Sequence, residues 1–254
     1  CIQRSPDAVA VHDKETWLSL FSSDGLVNDP VGSKPHQGRD EIDRFYETFI
    51  APNAIRFDVK QDAVCGDTVV RDLIIETRMS TGLRVDVPTH IRYELVEEEG
   101  ELKVNRLYAH WELAPMVLQT LKSGLKGLVT YTKLSAHMIA CQGIGGVLGF
   151  MRGFLGVGKR GKRRAENLFT ALMQADAVRA RAMLASDADV QCGSKNGCAL
   201  AQLIEVIKGM RWTKVIAAGR SVTATIRIGD RHGLILLVFD RRYRVEQLRV
   251  YLQG

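Results

Sequence analysis

Asp29 is the residue of this sequence that is best suited by type and position to acid–base chemistry. It lies in the stretch LVNDPVGSKPHQGRDEIDRFYETF, between an apolar run and a proline. Because a residue before proline favours extended backbone, Asp29 should end a short strand. The following helix begins near Arg39, too far along the chain for Asp29 to cap it. Asp29 is therefore either a solvated turn residue or a functional carboxylate.

Two histidines are the further candidates for proton transfer. His90, in VDVPTHIRYEL, and His110, in LYAHWEL, fall on segments that predict long strands. A single histidine on a strand is more often structural than catalytic. Two of them in one domain with Asp29 strengthen the case for a shared site. His12 and His36 are expected at the surface.

Helices followed by a run of strands are predicted for the first half of the chain. Helical segments flank the short strand LVND, and the second of them, RDEIDRFYETFIA, ends before Pro52. Four β-rich runs follow, around 54–65, 67–80, 83–96 and 102–113. This order predicts an α+β domain with its helices on one face of a mainly antiparallel sheet.

A long amphipathic helix is predicted at residues 116–141, with a lysine-bearing polar face opposite a leucine stripe. An apolar, Gly-rich run and the basic cluster 159–164 follow it. The run is shorter than the roughly twenty residues of a membrane span. We favour a linker buried between two domains; the alternative is an interfacial segment that contacts an anionic membrane. The motif GFLGVGKR lacks the Ser or Thr of a phosphate-binding loop, so no nucleotide site is expected.

The segment 163–254 repeats the element order of the first half: helices, a short strand, a helix and then three or four strands. We therefore predict a degenerate tandem repeat of one fold. The expected domains are 1–115, which holds the candidate site, and 163–254, joined by the helix and linker at 116–162. Because Cys192 stands where the second repeat would have its counterpart of Asp29, that repeat is expected to pack or bind rather than to catalyse.

Composition is typical of a soluble globular protein, with 46% hydrophobic and 25% charged residues. The five cysteines show no metal-ligand spacing, and an odd count without a signal-peptide core predicts reduced thiols in the cytoplasm. Net charge is −4 over residues 1–158 (17 Lys+Arg, 21 Asp+Glu) and +10 over 159–254 (18 and 8). The basic half is either a solvated face or a surface for a phosphate-bearing partner. We expect no metal, no cofactor and no nucleic acid.

The stretch around Asp29 resembles the bacterial Δ5-3-ketosteroid isomerases. The shared features are the D-P-V-G-S run, the following proline, the glycine before the helix and the Phe-Tyr pair. VDVPTHIRYELVEEEGELKVNRLYAHW is similar to the last two strands of those enzymes. The resemblance covers roughly residues 5–113. It implies the cone-shaped, cystatin-like α+β fold shared by nuclear transport factor two, SnoaL-like polyketide cyclases and scytalone dehydratase.

The resemblance implies that Asp29 moves a proton beside a ketone at the floor of an apolar cone, where lost hydration makes a carboxylate a better base. Ketosteroid isomerases place this base opposite an oxyanion hole made of a tyrosine and a protonated aspartic acid. Here the tyrosine falls at about Ser5, and the aspartic acid aligns with His90. His90 is therefore the expected hydrogen-bond donor, with Tyr46 as a further phenol. The expected pocket walls are Trp17, Phe49, His110 and Trp111.

Functions of different classes are compatible with this site. The first is proton transfer on an apolar, steroid- or polyketide-like substrate, as in a steroid Δ-isomerase. The second is a non-catalytic carrier of lipids or steroids, held at a membrane surface. Asp29, His90 and His110 also resemble the Asp and two His of scytalone dehydratase, which implies a dehydrating lyase. Because the isomerases pair through their sheets, the two repeats are expected to form an intramolecular pseudo-dimer.

Overall fold

The computed structural model describes residues 2–193 and 197–253, which form two β-sheets with helices packed on one face of each. Cys1, one of the five cysteines, lies outside the described residues. Within the described ranges, the first sheet has six strands and the second has five. The predicted fold class, α+β with two helix-covered sheets, is confirmed.

The first sheet and its helices are built from residues 4–110. Asp13 accepts a hydrogen bond from the backbone N–H of Thr16 (3.0 Å), which caps the second helix and separates it from the first. The elements in chain order are α1 (Arg4–Ala10), α2 (Lys14–Ser19), β1 (Phe21–Asn28), β2 (His36–Gln37), α3 (Gly38–Phe45), the π-helix Tyr46–Ile50, β3 (Ala54–Cys65), β4 (Thr68–Arg78), β5 (Arg84–Glu98) and β6 (Glu101–His110).

The second sheet follows a helical segment that connects the two halves. Asp176 repeats the capping seen in the first half, because it accepts from the backbone N–H of Arg179 (3.0 Å). The elements are α4 (Leu113–Leu121), α5 (Leu125–Met151), the 3-10 turn Arg152–Phe154, α6 (Gly158–Met173), α7 (Ala177–Met183), β7 (Leu184–Cys192), α8 (Leu200–Val206), β8 (Arg211–Ala218), β9 (Ser221–Ile228), β10 (Arg231–Phe239) and β11 (Val245–Leu252).

The two sheets have the same strand order once the short β2 is set aside. The first runs β2-β1-β6-β5-β4-β3 and the second β7-β11-β10-β9-β8. In each sheet the first strand pairs in parallel with the last, whereas the other long strands pair antiparallel. The repeated element order in the sequence therefore corresponds to a repeated topology.

The faces of the two sheets that are not covered by helices pack against each other. Their apolar contact includes Val70 from β4, Leu234 and Leu236 from β10, and Tyr251 from β11. Elsewhere the contact is polar, and its centre is Lys214, whose Nζ lies 2.5 Å from Asp72 Oδ1 and donates to Thr89 O at 3.0 Å. A charge that loses water needs such partners, so this pairing specifies how the two sheets meet.

The predicted buried linker is wrong. The helical segment begins earlier than predicted, at Leu113, is interrupted around Gly124 and continues to Met151. Ile144 and Leu148 are 70% and 64% exposed. The physical reason is that the two sheets contact each other directly, so α5 lies outside their interface, whereas Val157 near the end of the predicted linker is buried in the core of the second half.

Candidate functional site

A cavity with about 160 Å³ of room for the centre of a water-sized sphere lies between the first sheet and the helices that cover it. Its walls come from α1, α2, α3, the π-helix, β1, β3 to β6, α4 and α5. The polar lining residues are Ser5, Asp29, Asn53, Thr77 and Tyr93. The apolar lining residues are Val9, Trp17, Val27, Phe45, Phe49, Ile50, Ile55, Phe57, Ile75, Met79, Val87, Ile91, Leu107, Trp111, Met116, Leu134 and Phe150. Such a cavity suits an apolar ligand that is oriented by a few polar contacts.

Asp29 follows the last residue of β1, as its position before proline predicts, and its carboxylate lines the cavity. The indole Nε1 of Trp111 donates to Asp29 Oδ1 at 2.5 Å. Burial raises the pKa of Asp29 from 3.8 to about 6, and the hydrogen bond from Trp111 opposes part of that rise. The carboxylate is therefore ionised at neutral pH and is a stronger base than a solvated aspartate.

The loop that carries Asp29 is held against the second half of the chain. The φ of Gly32 is +101°, and that of Gly219, in the β8–β9 turn, is +53°. A Cβ on Gly219 would lie 2.7 Å from the Cα of Gly32, closer than side-chain and backbone atoms can approach. Within the loop, Ser33 donates to the carbonyl of Pro30 at 2.7 Å. The glycine of D-P-V-G therefore has a packing role as well as a conformational one.

His90 does not line the cavity, and its predicted role as a donor there is wrong. Successive residues of a strand point to opposite faces, and His90 points to the second sheet whereas Ile91 lines the cavity. Its Nδ1 lies 2.8 Å from Thr223 Oγ1 and its Nε2 lies 2.9 Å from Thr225 Oγ1. Burial and the charge of Lys214 hold the pKa of His90 well below its ordinary value. The neutral ring therefore joins the two sheets.

His110 has the same orientation, so its predicted place in the pocket wall is also wrong. It pairs with His90 across β5 and β6, and its Nδ1 lies 3.1 Å from Ser221 Oγ. Burial, together with the charge of Arg92, lowers the pKa of His110 well below its ordinary value. Both histidines are uncharged members of the interface between the sheets.

Tyr46 lies in the π-helix beside the cavity but does not line it, so the structure contradicts its predicted role as a phenol donor. Its ring packs 5.4 Å from that of Trp17, and its hydroxyl is buried without a hydrogen-bond partner in the described part of the chain. Burial raises the pKa of Tyr46, and the neighbouring charge of Glu47 raises it further.

Tyr93 is the phenol that lines the cavity, and sequence analysis missed it. It lies two residues beyond Ile91 on β5, and therefore on the same face. Burial raises the pKa of Tyr93 to about 12, while the nearby Arg71 guanidinium opposes the rise. Arg71 is itself buried and forms a bidentate ion pair with Asp62, with both N···O distances 2.8 Å. Alternation along the strand places Tyr93 on the same face as Ile91, but the sequence alone does not show that this face lines the cavity.

The remaining predicted wall residues do line the cavity. Trp17, Phe49 and Trp111 all contribute to its surface. The indole of Trp17 donates to Ser5 Oγ at 3.1 Å, which orients the ring. Phe49 stacks with Phe150 of α5 at 5.4 Å between ring centroids, so α5 closes the cavity over the π-helix.

Residues 2–193 and 197–253 contain no group of three or more His, Cys, Asp or Glu arranged to hold a metal ion. The arrangement in the cavity is instead a single base, a phenol and an indole N–H in apolar surroundings.

Comparisons with known proteins cover the first half of the chain. Residues 2–104 match the SnoaL-like domain family. No curated protein sequence matches the chain. Among solved structures, RV0760c from Mycobacterium tuberculosis in complex with estradiol-17beta-hemisuccinate is 23% identical, over 44% of this chain and 91% of that one, with a TM-score of 0.41. Delta 5-3-ketosteroid isomerase from Mycobacterium sp. is 26% identical over 44% and 90%, also with a TM-score of 0.41. An M. tuberculosis LEH-like epoxide hydrolase is 16% identical over 50% and 91%, with a TM-score of 0.41.

Proposed function

We propose that this cavity, which lies in the half of the chain that matches the SnoaL-like domain family, catalyses proton transfer beside the carbonyl group of an apolar, steroid- or polyketide-like ligand. The observation that carries the proposal is a carboxylate, Asp29, with its pKa raised to about 6 inside a mainly apolar cavity. A solvated turn aspartate would have neither the raised pKa nor the enclosed surroundings. Raised carboxylate pKa values in clefts are typical of groups that exchange protons with a substrate.

The proposed reaction has two steps. Asp29 removes a proton from a carbon next to the carbonyl, and the electron pair of the broken C–H bond moves to form an enolate. Asp29 then returns the proton to a second carbon of the conjugated system, which regenerates the carboxylate and the ketone. No redox partner is needed, because the product is an isomer of the substrate.

Tyr93 is proposed as the donor to the enolate oxygen. With its pKa raised to about 12, the phenol is protonated at neutral pH and can donate. The buried guanidinium of Arg71 lies next to it and favours electron density on the phenol oxygen, so donation becomes stronger as charge develops. Arg71 does not line the cavity and would act only through Tyr93.

The proposal is tested by turnover of a β,γ-unsaturated ketone by the parent protein and by Asp29→Asn. Loss of a general base should reduce the rate by about 10²–10⁴-fold. The exposed Asp67, in the β3–β4 turn, provides a matched control, because Asp67→Asn makes the same chemical change away from the cavity. Equal turnover by the parent and Asp29→Asn would disprove the assignment of the base.

A non-catalytic carrier of apolar ligands is the second candidate function. It is favoured by the small number of polar groups in the cavity and by the orientation of His90 and His110, which removes two expected donors. Saturable binding of an apolar phenol by a parent protein that shows no turnover would support the carrier. The same orientation argues against a dehydratase site built on these histidines.

We also propose that the second sheet serves the first as a permanent partner in an intramolecular pseudo-dimer. The interior of the second unit, residues 163–254, is filled by a large apolar cluster that includes Phe169, Leu203 and Met210. Its contacts to the first unit include the β8–β9 turn beside the Asp29 loop. These features support a packing role for residues 163–254.

A further inference from the structure

The outer side of α4, α5 and the turn that follows is an exposed apolar surface, here called the α4–α5 surface. In the most apolar stretch of α5, only 11% of the residues are buried, and the helix is long and apolar enough to cross a membrane by length and composition. The exposed large apolar side chains are Leu118, Leu121, Leu125, Leu128, Val129, Ile139, Ile144, Leu148, Met151, Phe154 and Leu155. Many large apolar side chains exposed on one segment of a folded protein indicate an interaction site.

The inner side of α5 is fixed to the first unit, so the helix lies across the cavity mouth. His137 Nε2 lies 2.9 Å from the carbonyl oxygen of Glu47, and Gln142 Nε2 donates to Thr48 Oγ1 at 3.0 Å. Phe150 completes the contact by stacking on Phe49. A helix that crossed a bilayer would have to give up these contacts and open the cavity, which favours a position parallel to the membrane plane.

The charged residues of the segment that carries the α4–α5 surface have one sign. Residues 113–165 contain nine Lys+Arg and no Asp or Glu, whereas residues 1–112 contain 13 Lys+Arg and 21 Asp+Glu. One of the nine, Lys162, pairs with Glu112 at 2.6 Å. In the described ranges of the chain, the other eight form no ion pair. A surface that combines exposed apolar side chains with uncompensated basic residues is complementary to anionic lipid headgroups over an acyl interior.

We propose that the α4–α5 surface docks on an anionic lipid bilayer, with α5 in the interfacial plane. A second copy of this chain is a poorer occupant, because a two-fold interface would bring the basic residues of both copies together. On the cavity side of the same helix, Leu134 and Phe150 line the cavity, and Gly143 breaks the helix between them with φ 68°. Docking would therefore place the part of α5 that lines the cavity at the point where an apolar ligand leaves the bilayer. This consequence rests on the proposed function.

The test measures co-sedimentation with vesicles of neutral phosphatidylcholine and of phosphatidylcholine mixed with phosphatidylglycerol. We expect binding to the mixed vesicles, weaker binding to the neutral ones and release as salt rises. Replacing three exposed basic residues should weaken partitioning on the order of a hundredfold. The substitutions are Arg152→Gln, Lys159→Gln and Arg163→Gln, and the control, with the same loss of charge elsewhere on the surface, is Lys208→Gln, Arg231→Gln and Arg241→Gln.

The apolar contribution is tested by a second pair of triple variants. Their replaced side chains are all more than half exposed, so folding should be retained, and circular dichroism checks it. The test set is Leu125→Ser, Ile144→Ser and Leu148→Ser, and the control set is Val64→Ser, Leu102→Ser and Val178→Ser. We expect the test set to reduce vesicle binding and the control set to leave it unchanged.

Four results would overturn the inference: equal binding to neutral and anionic vesicles, retention at high salt as for an inserted helix, equal effects of the test and control sets, or a dimer that the test set disrupts and that does not bind vesicles. The salt series on the parent protein distinguishes an interfacial helix, which salt releases, from an inserted helix, and it needs no variant. Vesicle binding is measured without turnover, so its failure is distinct from failure of the proposed catalysis, which Asp29→Asn tests.

Discussion

Replacing Asp29 with Asn should stabilise the protein at neutral and alkaline pH while removing its proposed activity. The folded cavity raises the pKa of Asp29 above its ordinary value, so the folded state resists ionisation that the unfolded chain undergoes freely. Ionising the carboxyl is therefore less favourable in the folded state than in the unfolded chain, and this difference lowers the free energy of unfolding. Asparagine has nearly the same shape and still accepts from the Trp111 indole, but it never carries the charge.

The magnitude follows from the rise of the pKa from 3.8 to about 6. At roughly 1.4 kcal/mol per pH unit, the ionised carboxylate costs about 3 kcal/mol at pH 8. The sign is that of a raised pKa: the cost is absent below 3.8, grows as pH rises towards 6 and is constant above that value. At pH 5 the same relation gives an ionisation cost of about 1.6 kcal/mol. Asp29→Asn should therefore raise the free energy of unfolding more at pH 8 than at pH 5.

The assay is urea unfolding of the parent and Asp29→Asn at pH 5 and pH 8, with the difference in unfolding free energy compared between the two conditions. Taking the difference removes the titration of every group that the two proteins share. Asp67→Asn is the control, since that carboxylate is exposed in both states. A stability difference that is the same at both pH values, or a loss of stability at pH 8, would refute the idea that Asp29 is held in a dehydrated cavity.

Two further substitutions test the donor and the interface. Tyr93→Phe should reduce turnover by about 10²–10³-fold, as expected for loss of one oxyanion donor. Tyr46→Phe should leave turnover unchanged, because the Tyr46 hydroxyl does not line the cavity. Equal effects of the two substitutions in a steady-state assay would contradict the assignment of Tyr93 as the donor. Lys214→Met should lower the unfolding free energy by about 3–5 kcal/mol, because it leaves Asp72 buried without its cation. An unfolding midpoint equal to that of the exposed control Lys208→Met would show that the pair is not needed.

The sequence was sufficient for the element order and for the position of Asp29 at the end of β1, because both depend on local signals. The proline after Asp29 fixes the end of β1, and the alternation of helices and strands recurs in the second half. The face of β5 that lines the cavity could not be read in the same way. Helices cover one face of the first sheet and the second sheet covers the other, so His90 and Ile91 are both buried. The usual alternation of buried apolar and exposed polar residues is therefore absent, and the pattern does not show which face lines the cavity.

The α5 helix shows the opposite limit of sequence reasoning. A leucine stripe usually predicts a face turned towards a core, and that prediction is wrong for this segment. Here Leu125 and Leu128 are exposed, whereas Thr130 and Met138 face the protein. Because buried side chains come from both predicted faces, the spacing of the leucines predicts the helix but not which of its residues face the protein.

Joining the two units in one chain has a physical consequence for the Asp29 loop. The loop packs at Gly32 against Gly219 of the second unit, and Val157 of the connecting segment donates to the Gly219 carbonyl at 2.8 Å. If the partner were a separate copy, this support would be lost whenever the pair dissociated on dilution. A covalent partner has a fixed effective concentration, so the support is independent of protein concentration. In the proposed pseudo-dimer, the second half would therefore support the cavity of the first although its own interior is filled.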